Sequence, residues 1–383
     1  MADVLTPEQR AAVDNRGRGL LVSAAAGSGK TRVLVERLFS YVEGEGANLD
    51  DFLIITYTRA AAAELRGKIA SALSDRLRDD PANPHLQRQL LRVYRADIKT
   101  VDAFCTALLR ENCHLLGEDE NHRVLRPDFR VLDEQDAATL RTRVLTRTLE
   151  QFYEGIEPGD GGTLLADTLG AGRDDRSLAA LVSELYDKVQ AQPYPERWLR
   201  EQETRWENLP ESIDDTPYAA LLLRQARQKA LHWAALYERG AAEMDGDEGL
   251  SKSYAPDFRS VALALQAFAK ATEQGWDAAR AAQVTYPRIT TARKVEDAAL
   301  KDRMKRLWDN GKKSMGRQLL EDSAAESAED LRAMAGAMAA LLRLTAEFSR
   351  AYASEKRRRN AADFSDQEHL AIRLLLDADG APT

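Results

Sequence analysis

The sequence predicts an α/β fold in which an incomplete parallel sheet is interrupted by a long helical insertion, and three observations lead there. A short apolar run, Gly19-Leu20-Leu21-Val22-Ser23, passes straight into the small-residue loop Ala24-Ala25-Ala26-Gly27-Ser28-Gly29-Lys30-Thr31. Two further apolar runs, 52–57 and 96–101, are each followed at once by a helical pattern. From about 136 to 360 the chain keeps helical periodicity and contains no second loop of this kind.

Thr6-Pro7-Glu8-Gln9 reads as a helix start, with Thr6 as N-cap, Pro7 at the first helical position and Gln9 three residues after the cap. Gln9 has two readings. It can bond back to the N-cap amide, or its amide, which both donates and accepts, can read the adenine edge of a nucleotide held by the loop some twenty residues later.

Residues 19–23 have the pattern of a buried parallel strand feeding a tight turn. The loop then opens a helix from Lys30 to about Val42, with Val33, Leu34, Arg37 and Leu38 at helical spacing. A triphosphate needs backbone N–H groups pointing inward and no Cβ atoms in the way, which Gly27 and Gly29 allow. Ala24 stands where such loops usually carry their first glycine. The helix N-terminus adds partial positive charge, Lys30 can reach the β and γ phosphates, and the Thr31 hydroxyl can ligate Mg2+.

Residues 52–57 predict a second buried strand, and the Ala-rich helix from Thr58 starts at its C-terminal end. Open parallel sheets bind ligands at that edge, so Thr56, Tyr57, Thr58 and the helix N-terminus suit a nucleic-acid backbone. The plainer alternative makes Thr58 only an N-cap and Tyr57 only a core aromatic. Residues 96–101 predict a third strand, leading into a helix that begins near Asp102. By about residue 115 this order amounts to the first half of a doubly wound P-loop domain.

In the helical stretch, Leu222, Ala226, Ala230, Trp233 and Tyr237 share one face, and Leu331, Met334, Met338, Leu341, Thr345, Phe348 and Tyr352 form a seam. The Gly- and Asp-rich segments 159–175, 208–216 and 244–254 predict loops. Lys301, Arg303, Lys305, Arg306, Lys312 and Lys313 form either a solvated helix face or a contact with duplex phosphates. Lys356-Arg357-Arg358-Arg359 places cations at a helix C-terminus, and Ser365 with Glu368 predicts the next capping box. ATP hydrolysis would also need an apolar strand ending in Asp-Glu. Val131-Leu132-Asp133-Glu134 superficially resembles one, but its apolar run is two residues long and it reads as a helix N-terminus. No catalytic residue is therefore assigned within this sequence.

The 383 residues suffice for two or three domains. Net charge is −8 with 30% charged residues, so any nucleic-acid contact must be local. Cys105 and Cys113 sit in no metal or disulfide spacing, which favours a reducing compartment. No apolar run approaches the roughly 18 residues of a membrane span, and residues 1–4 lack a signal-peptide pattern; a cytoplasmic location without a membrane partner is expected.

Four segments carry a specific resemblance: 5–13, 22–37, 55–58 with 61–65, and 99–105. They resemble motifs Q, I, Ia and Ib of the UvrD-type superfamily 1 DNA helicases, in that order. Within that group the chain is most similar to the AddA helicase/nuclease family and less so to RecB. Residues 127–134 and 362–368 share the likeness, so it covers about the first 135 residues and the last twenty or so.

The resemblance implies a partial P-loop (RecA-like) parallel-sheet domain over 1–115, a large inserted all-helical domain over 116–360, and a segment, 361–383, returning to the first. It implies that Gln9, Ala24, Ala25, Ala26, Gly27, Ser28, Gly29, Lys30, Thr31 and Arg32 hold ATP, with Thr31 on Mg2+. It implies that Thr56, Tyr57, Thr58, Thr100 and Phe104 touch single-stranded DNA. Arg59 stands where the family often has Asn, and Asp102-Ala103 where it often has His-Ser, so Thr100 and Phe104 are the better matches in motif Ib. The implied activity of an intact protein is ATP-driven 3′→5′ translocation on single-stranded and duplex DNA. Unwinding and exonuclease action would serve double-strand-break repair and recombination, beside an AddB-like partner in a heterodimer. The sequence contains neither a second RecA-like domain nor the acidic pair nor a nuclease cluster, and it reads as an N-terminal piece of a longer protein. Two readings from other classes are a nucleotide-dependent binding module without hydrolysis and a small-molecule P-loop kinase. The kinase would need an Arg-rich lid, and the motif order speaks against it.

Overall fold

The computed structural model describes residues 5–17, 19–119, 122–169, 176–289, 292–316, 320–377 and 380–383. It divides into two compact units, Met1–Val144 with Arg350–Thr383, and Leu145–Ser349.

The first unit opens with α1 (Pro7–Asp14), started by the predicted capping box. Thr6 Oγ1 accepts from the Gln9 amide at 3.3 Å, and Gln9 Oε1 accepts from the Thr6 amide at 3.0 Å. The predicted strand at 19–23 is corrected: these residues join no ladder, and Leu21 is 95% exposed. Among the described residues no strand runs beside them, so their peptide groups lack ladder partners and their apolar side chains lack cover.

Next come α2 (Lys30–Gly44), β1 (Leu53–Thr56), α3 (Arg59–Asp79), α4 (Pro84–Arg92), β2 (Asp97–Thr100) and α5 (Val101–Asn112). β1 and β2 pair in parallel, from Leu53 opposite Asp97 to Thr56 opposite Thr100. One side of this pair is buried by Leu38, Phe39, Val42, Leu65, Ile69 and Leu73. The expectation that β1 is wholly buried fails, because Leu53 and Ile55 point to an uncovered side. Arg66 fixes the approach to β2 by donating to the carbonyls of Val93 (3.1 Å), Tyr94 (3.2 Å) and Ile98 (2.9 Å). A small antiparallel pair, β3 (Glu118–Asp119) and β4 (His122–Arg123), precedes β5 (Arg130–Val131) and α6 (Glu134–Gly155). Asp133 Oδ1 accepts from the Asp136 amide at 2.8 Å, so the Asp-Glu pair at 133–134 is a helix start.

The second unit continues through α7 (Gly161–Leu169), α8 (Arg176–Val189), α9 (Pro195–Glu207), α10 (Pro217–Met244), α11 (Glu248–Ser253), α12 (Ala255–Ala271), α13 (Trp276–Ala281), α14 (Ala298–Met315) and α15 (Ala324–Arg358). Its largest core gathers Tyr237, Phe258, Leu265, Phe268 and Trp308. On the predicted faces Ala230, Tyr237, Leu341, Thr345, Phe348 and Tyr352 are buried, whereas Leu222 and Met334 are exposed.

Two predicted loops are partly helix. Within 159–175, α7 occupies Gly161–Leu169, and 170–175 lie outside the described residues; within 244–254, α11 occupies Glu248–Ser253. The misread residues are glycines that serve close packing. A Cβ on Gly161 would sit 2.2 Å from the Gly336 carbonyl oxygen, and one on Gly249 2.5 Å from that of Arg293.

The chain re-enters the first unit through α15, turns at Asn360 (φ +49°), and forms β6 (Ala361–Ala362), parallel to β5. α16 (Phe364–Leu375) follows. Its capping box is Asp363 with Asp366, which corrects the predicted Ser365–Glu368 pair and starts the helix one residue earlier than Ser365. α16 packs on α5, with Leu370 and Leu374 against Leu109, Cys113, Leu116 and Phe129. Lys356, read as a cation suited to the helix C-terminus, does lie in the last turn of α15, and it is also buried against the start of α16.

Candidate functional site

The loop at 24–31 is shaped by two glycines in the left-handed region. Ser28 closes a turn on Ala25, its amide at 3.4 Å and its hydroxyl at 2.8 Å from the Ala25 carbonyl oxygen, and Gly27 takes φ +78° inside that turn. Gly29, at φ +84° and ψ 22°, is the residue from which α2 departs. No side chain caps α2, whereas Thr6, Thr58 and Thr100 cap α1, α3 and α5. The first amides of α2 are thus offered outward with the positive end of its dipole.

Lys30 curls back over the loop, Nζ donating to the carbonyls of Ala24 at 2.6 Å and Ala25 at 3.0 Å. The ammonium therefore stands above the Ala25–Ser28 turn. Ala24, Ala25, Ala26, Ser28 and Thr31 are exposed, and Arg32 is half-buried. Gln9 reaches across: while Oε1 holds the cap, Nε2 donates to the Ser28 carbonyl at 3.0 Å. The capping reading is shown, and the same side chain also touches the loop. A cavity of about 470 Å³ near Val42 and His85 lies away from these groups, whereas one of about 510 Å³ is lined by Leu20, Val22, Lys30, Leu34 and Tyr41 beside the loop.

The second group of predicted residues lies at the C-terminal ends of β1 and β2, brought side by side by the Thr56–Thr100 register. Thr56 Oγ1 donates to the Thr58 carbonyl at 3.0 Å. Thr58 and Thr100 are N-caps, accepting from the amides of Ala61 at 3.1 Å and Ala103 at 3.2 Å. A capping hydroxyl keeps its own hydrogen to donate. Tyr57 is fully exposed, which removes its reading as a core aromatic, and Phe104 is half-buried on α5. No ladder among the described residues ties the loop segment 19–23 to this strand pair.

Burial pushes the Cys105 thiol on α5 above its ordinary value, and the carboxylates of Glu368 and Asp102 add to the shift. Sequence reasoning missed Gln367 and Thr106, which bond α16 to α5. Gln367 lies in the 362–368 segment that shares the family likeness, but its contact with Thr106 joins two helices far apart in sequence, which no local pattern shows. Among the described residues no cluster of three His, Cys, Asp or Glu is placed to hold a metal, and no helix is long and apolar enough to cross a membrane.

An α/β unit with a glycine-turned loop feeding an uncapped helix defines a protein of the phosphate-loop class. Residues 5–382 match the model of the UvrD/REP helicase N-terminal domain, and the chain belongs to that helicase family. It is 34% identical to the A-subunit of the ATP-dependent helicase/nuclease of Desulforudis audaxviator, over 98% of this chain and 31% of that protein. Its counterpart of the same name from Moorella thermoacetica is also 34% identical, over 98% of this chain and 27% of that protein. That of Acetivibrio thermocellus is 31% identical, over 97% and 30%. The chain spans about three-tenths of the length of these relatives.

Proposed function

We propose that this chain is the ATP-binding, DNA-contacting N-terminal motor region of an ATP-dependent 3′→5′ DNA helicase and exonuclease, acting in double-strand-break repair and recombination. The observation that carries the reading is the uncapped start of α2 beneath a loop that Gly27 and Gly29 turn inward. The first unit is read as part of a RecA-like domain and the helices of the second as an insertion into it. Gln9 contacts adenine, residues 24–30 and Arg32 hold the phosphates, and Tyr57, Thr58, Thr100, Phe104 and Thr56 face single-stranded DNA. Duplex DNA and a second protein of the AddB kind complete the assembly, in the cytoplasm.

The residues fit a nucleotide with Mg2+. Thr31, exposed at the second position of α2, offers a hard oxygen ligand, and Lys30 already stands over the turn. The metal, when bound, neutralises developing phosphate charge. Within the chain, Lys30 would exchange its two carbonyl partners for phosphate oxygens, and Gln9 would hold the loop to α1 while its remaining amide hydrogen faces the base. Asp133 caps a helix and so does not serve as the Asp of a catalytic acidic pair, and this segment alone is expected to bind ATP weakly and to turn it over negligibly.

The test is Lys30→Ala in the full-length protein, assayed for duplex unwinding, with circular dichroism as the control for folding. Loss of ATP-driven unwinding in a folded protein is expected; normal unwinding would mean that the loop has another role. The family match leaves a small-molecule kinase without support. A full-length protein that binds ATP but never hydrolyses it would instead favour a nucleotide-dependent binding module.

A further inference from the structure

Lys356 is 2% exposed, four residues before the turn into β6. Its Nζ lies 2.7 Å from Asp363 Oδ2 and 2.7 Å from Asp366 Oδ2, and 4.1 Å above the Tyr352 ring. The two aspartates also hold each other. Asp363 Oδ1 accepts from the Asp366 amide at 3.0 Å, and Asp366 Oδ2 accepts from the Asp363 amide at 3.0 Å. Burial raises Asp366; at Asp363 burial is the largest single influence, but the Lys356 charge and the hydrogen bonds from Lys356 and Asp366 together outweigh it and hold the carboxyl below its usual range.

Burying an ammonium and partly burying two carboxylates is expensive, and apolar side chains of similar volume would often stabilise a helix junction as well. What the charges add is direction, since each bond can be made in only one arrangement of the α16 start. The next residue carries that arrangement onward. Gln367 is wholly buried; its Nε2 donates to the Asp363 carbonyl at 3.4 Å, and its Oε1 accepts from the hydroxyl of Thr106 on α5. α5 is the helix that begins at Thr100, beside the end of β1. A polar path therefore runs from Lys356 to Asp363, which Asp366 braces, and from the Asp363 main-chain carbonyl through Gln367 to Thr106 of α5.

We infer that Lys356 is a positioning residue for α5, setting through this path the affinity of the Thr100–Phe104 face for single-stranded DNA without touching DNA itself. The inference rests on the proposed DNA face. Apolar contact between α16 and α5 is the competing explanation, and it predicts that the polar path can be cut without effect on DNA binding.

The experiment uses the full-length protein with Lys356→Met, Thr106→Val, Thr106→Ser and the double variant Lys356→Met/Thr106→Val, and Tyr57→Ala as the reference. Fluorescence anisotropy with labelled oligo-dT reads DNA affinity at matched folded fraction, and a fluorescent ATP analogue reads the loop. Lys356→Met and Thr106→Val should each weaken oligo-dT binding by about ten-fold with nucleotide affinity unchanged. The double variant should be no worse than the weaker-binding single, and Thr106→Ser should bind as wild type. Lower melting temperature with unchanged oligo-dT affinity, or additive losses, would overturn the linkage. If Lys356→Met fails to fold, the Thr106 pair decides: equal binding by Val and Ser ends the proposal. If Tyr57→Ala binds normally, the DNA face is wrong and the inference falls with it; if only Tyr57→Ala weakens binding, the face stands and the linkage alone is lost.

Discussion

α2 and α5 each open beside the proposed functional surface, and they begin in opposite ways. α5 starts at Thr100, whose hydroxyl accepts from the Ala103 amide, at the end of a strand paired along its length. α2 starts at Gly29, which has no side chain, after a segment with no strand beside it among the described residues. One start satisfies its own amides and stands on a formed sheet; the other leaves its amides open and stands on a loop turned by two glycines. A helix start that must receive an anion cannot also satisfy itself, because both would use the same N–H groups. The difference separates a surface that holds its shape from a site whose partners come from outside.

The sharpest way to break this comparison is Lys30→Ala, because the open start is then left without its cation. Loss of unwinding is expected, with stability unchanged in a thermal melt, since among the described residues Lys30 bonds only to loop carbonyls.

Gly29→Ala asks whether the glycine start is needed. At φ +84° a β-carbon costs about 1–2 kcal/mol. It would also press on Gln9 Nε2 at 3.2 Å. Nucleotide affinity should fall by about ten-fold in calorimetric titration, and wild-type affinity would show that the loop is not read in this conformation.

On the paired side, Tyr57→Ala should weaken single-strand binding by about 1–3 kcal/mol if the ring stacks on a base. Because Tyr57 is fully exposed, the melting temperature should not move. A drop in melting temperature without loss of DNA affinity would contradict both statements.

Thr58→Ala removes a cap and should lower stability by about 1 kcal/mol in urea unfolding, with nucleotide affinity intact. The smallest effect concerns reactivity. The buried Cys105 has a raised pKa, so less thiolate forms at pH 8 than in an exposed cysteine. Mass spectrometry should find Cys105 alkylated by iodoacetamide slowly in the native protein and readily in urea; equal rates would show that α5 is open to solvent.

Much of the site was legible because its signals are local. Thr6 and Gln9 are three residues apart, and the capping box they form needs nothing beyond one helical turn. Gly27, Ser28, Gly29, Lys30 and Thr31 follow in a row, and the turn with its helix start is built from them and Ala25 close by in sequence. Other residues were misread where distant neighbours decide their surroundings. Gly161 and Gly249 have the composition of loops, yet each lies where another backbone approaches too closely for a Cβ. Lys356 belongs to a run of four cations at a helix end, and only the arrival of Asp363 and Asp366 distinguishes it from Arg357, Arg358 and Arg359.

By itself the sequence determined the glycine-turned loop, the helices that start at Thr6, Lys30 and Thr58 and near Asp102, and strands within 52–57 and 96–101. Each depends on backbone preferences and capping bonds spanning about one turn. Tertiary structure alone decided that 19–23 stands without a ladder among the described residues, that β1 is covered on one side, and that Lys356 is buried. Strand pairing and burial depend on what lies alongside, and that is set by segments tens to hundreds of residues away, which no local pattern encodes.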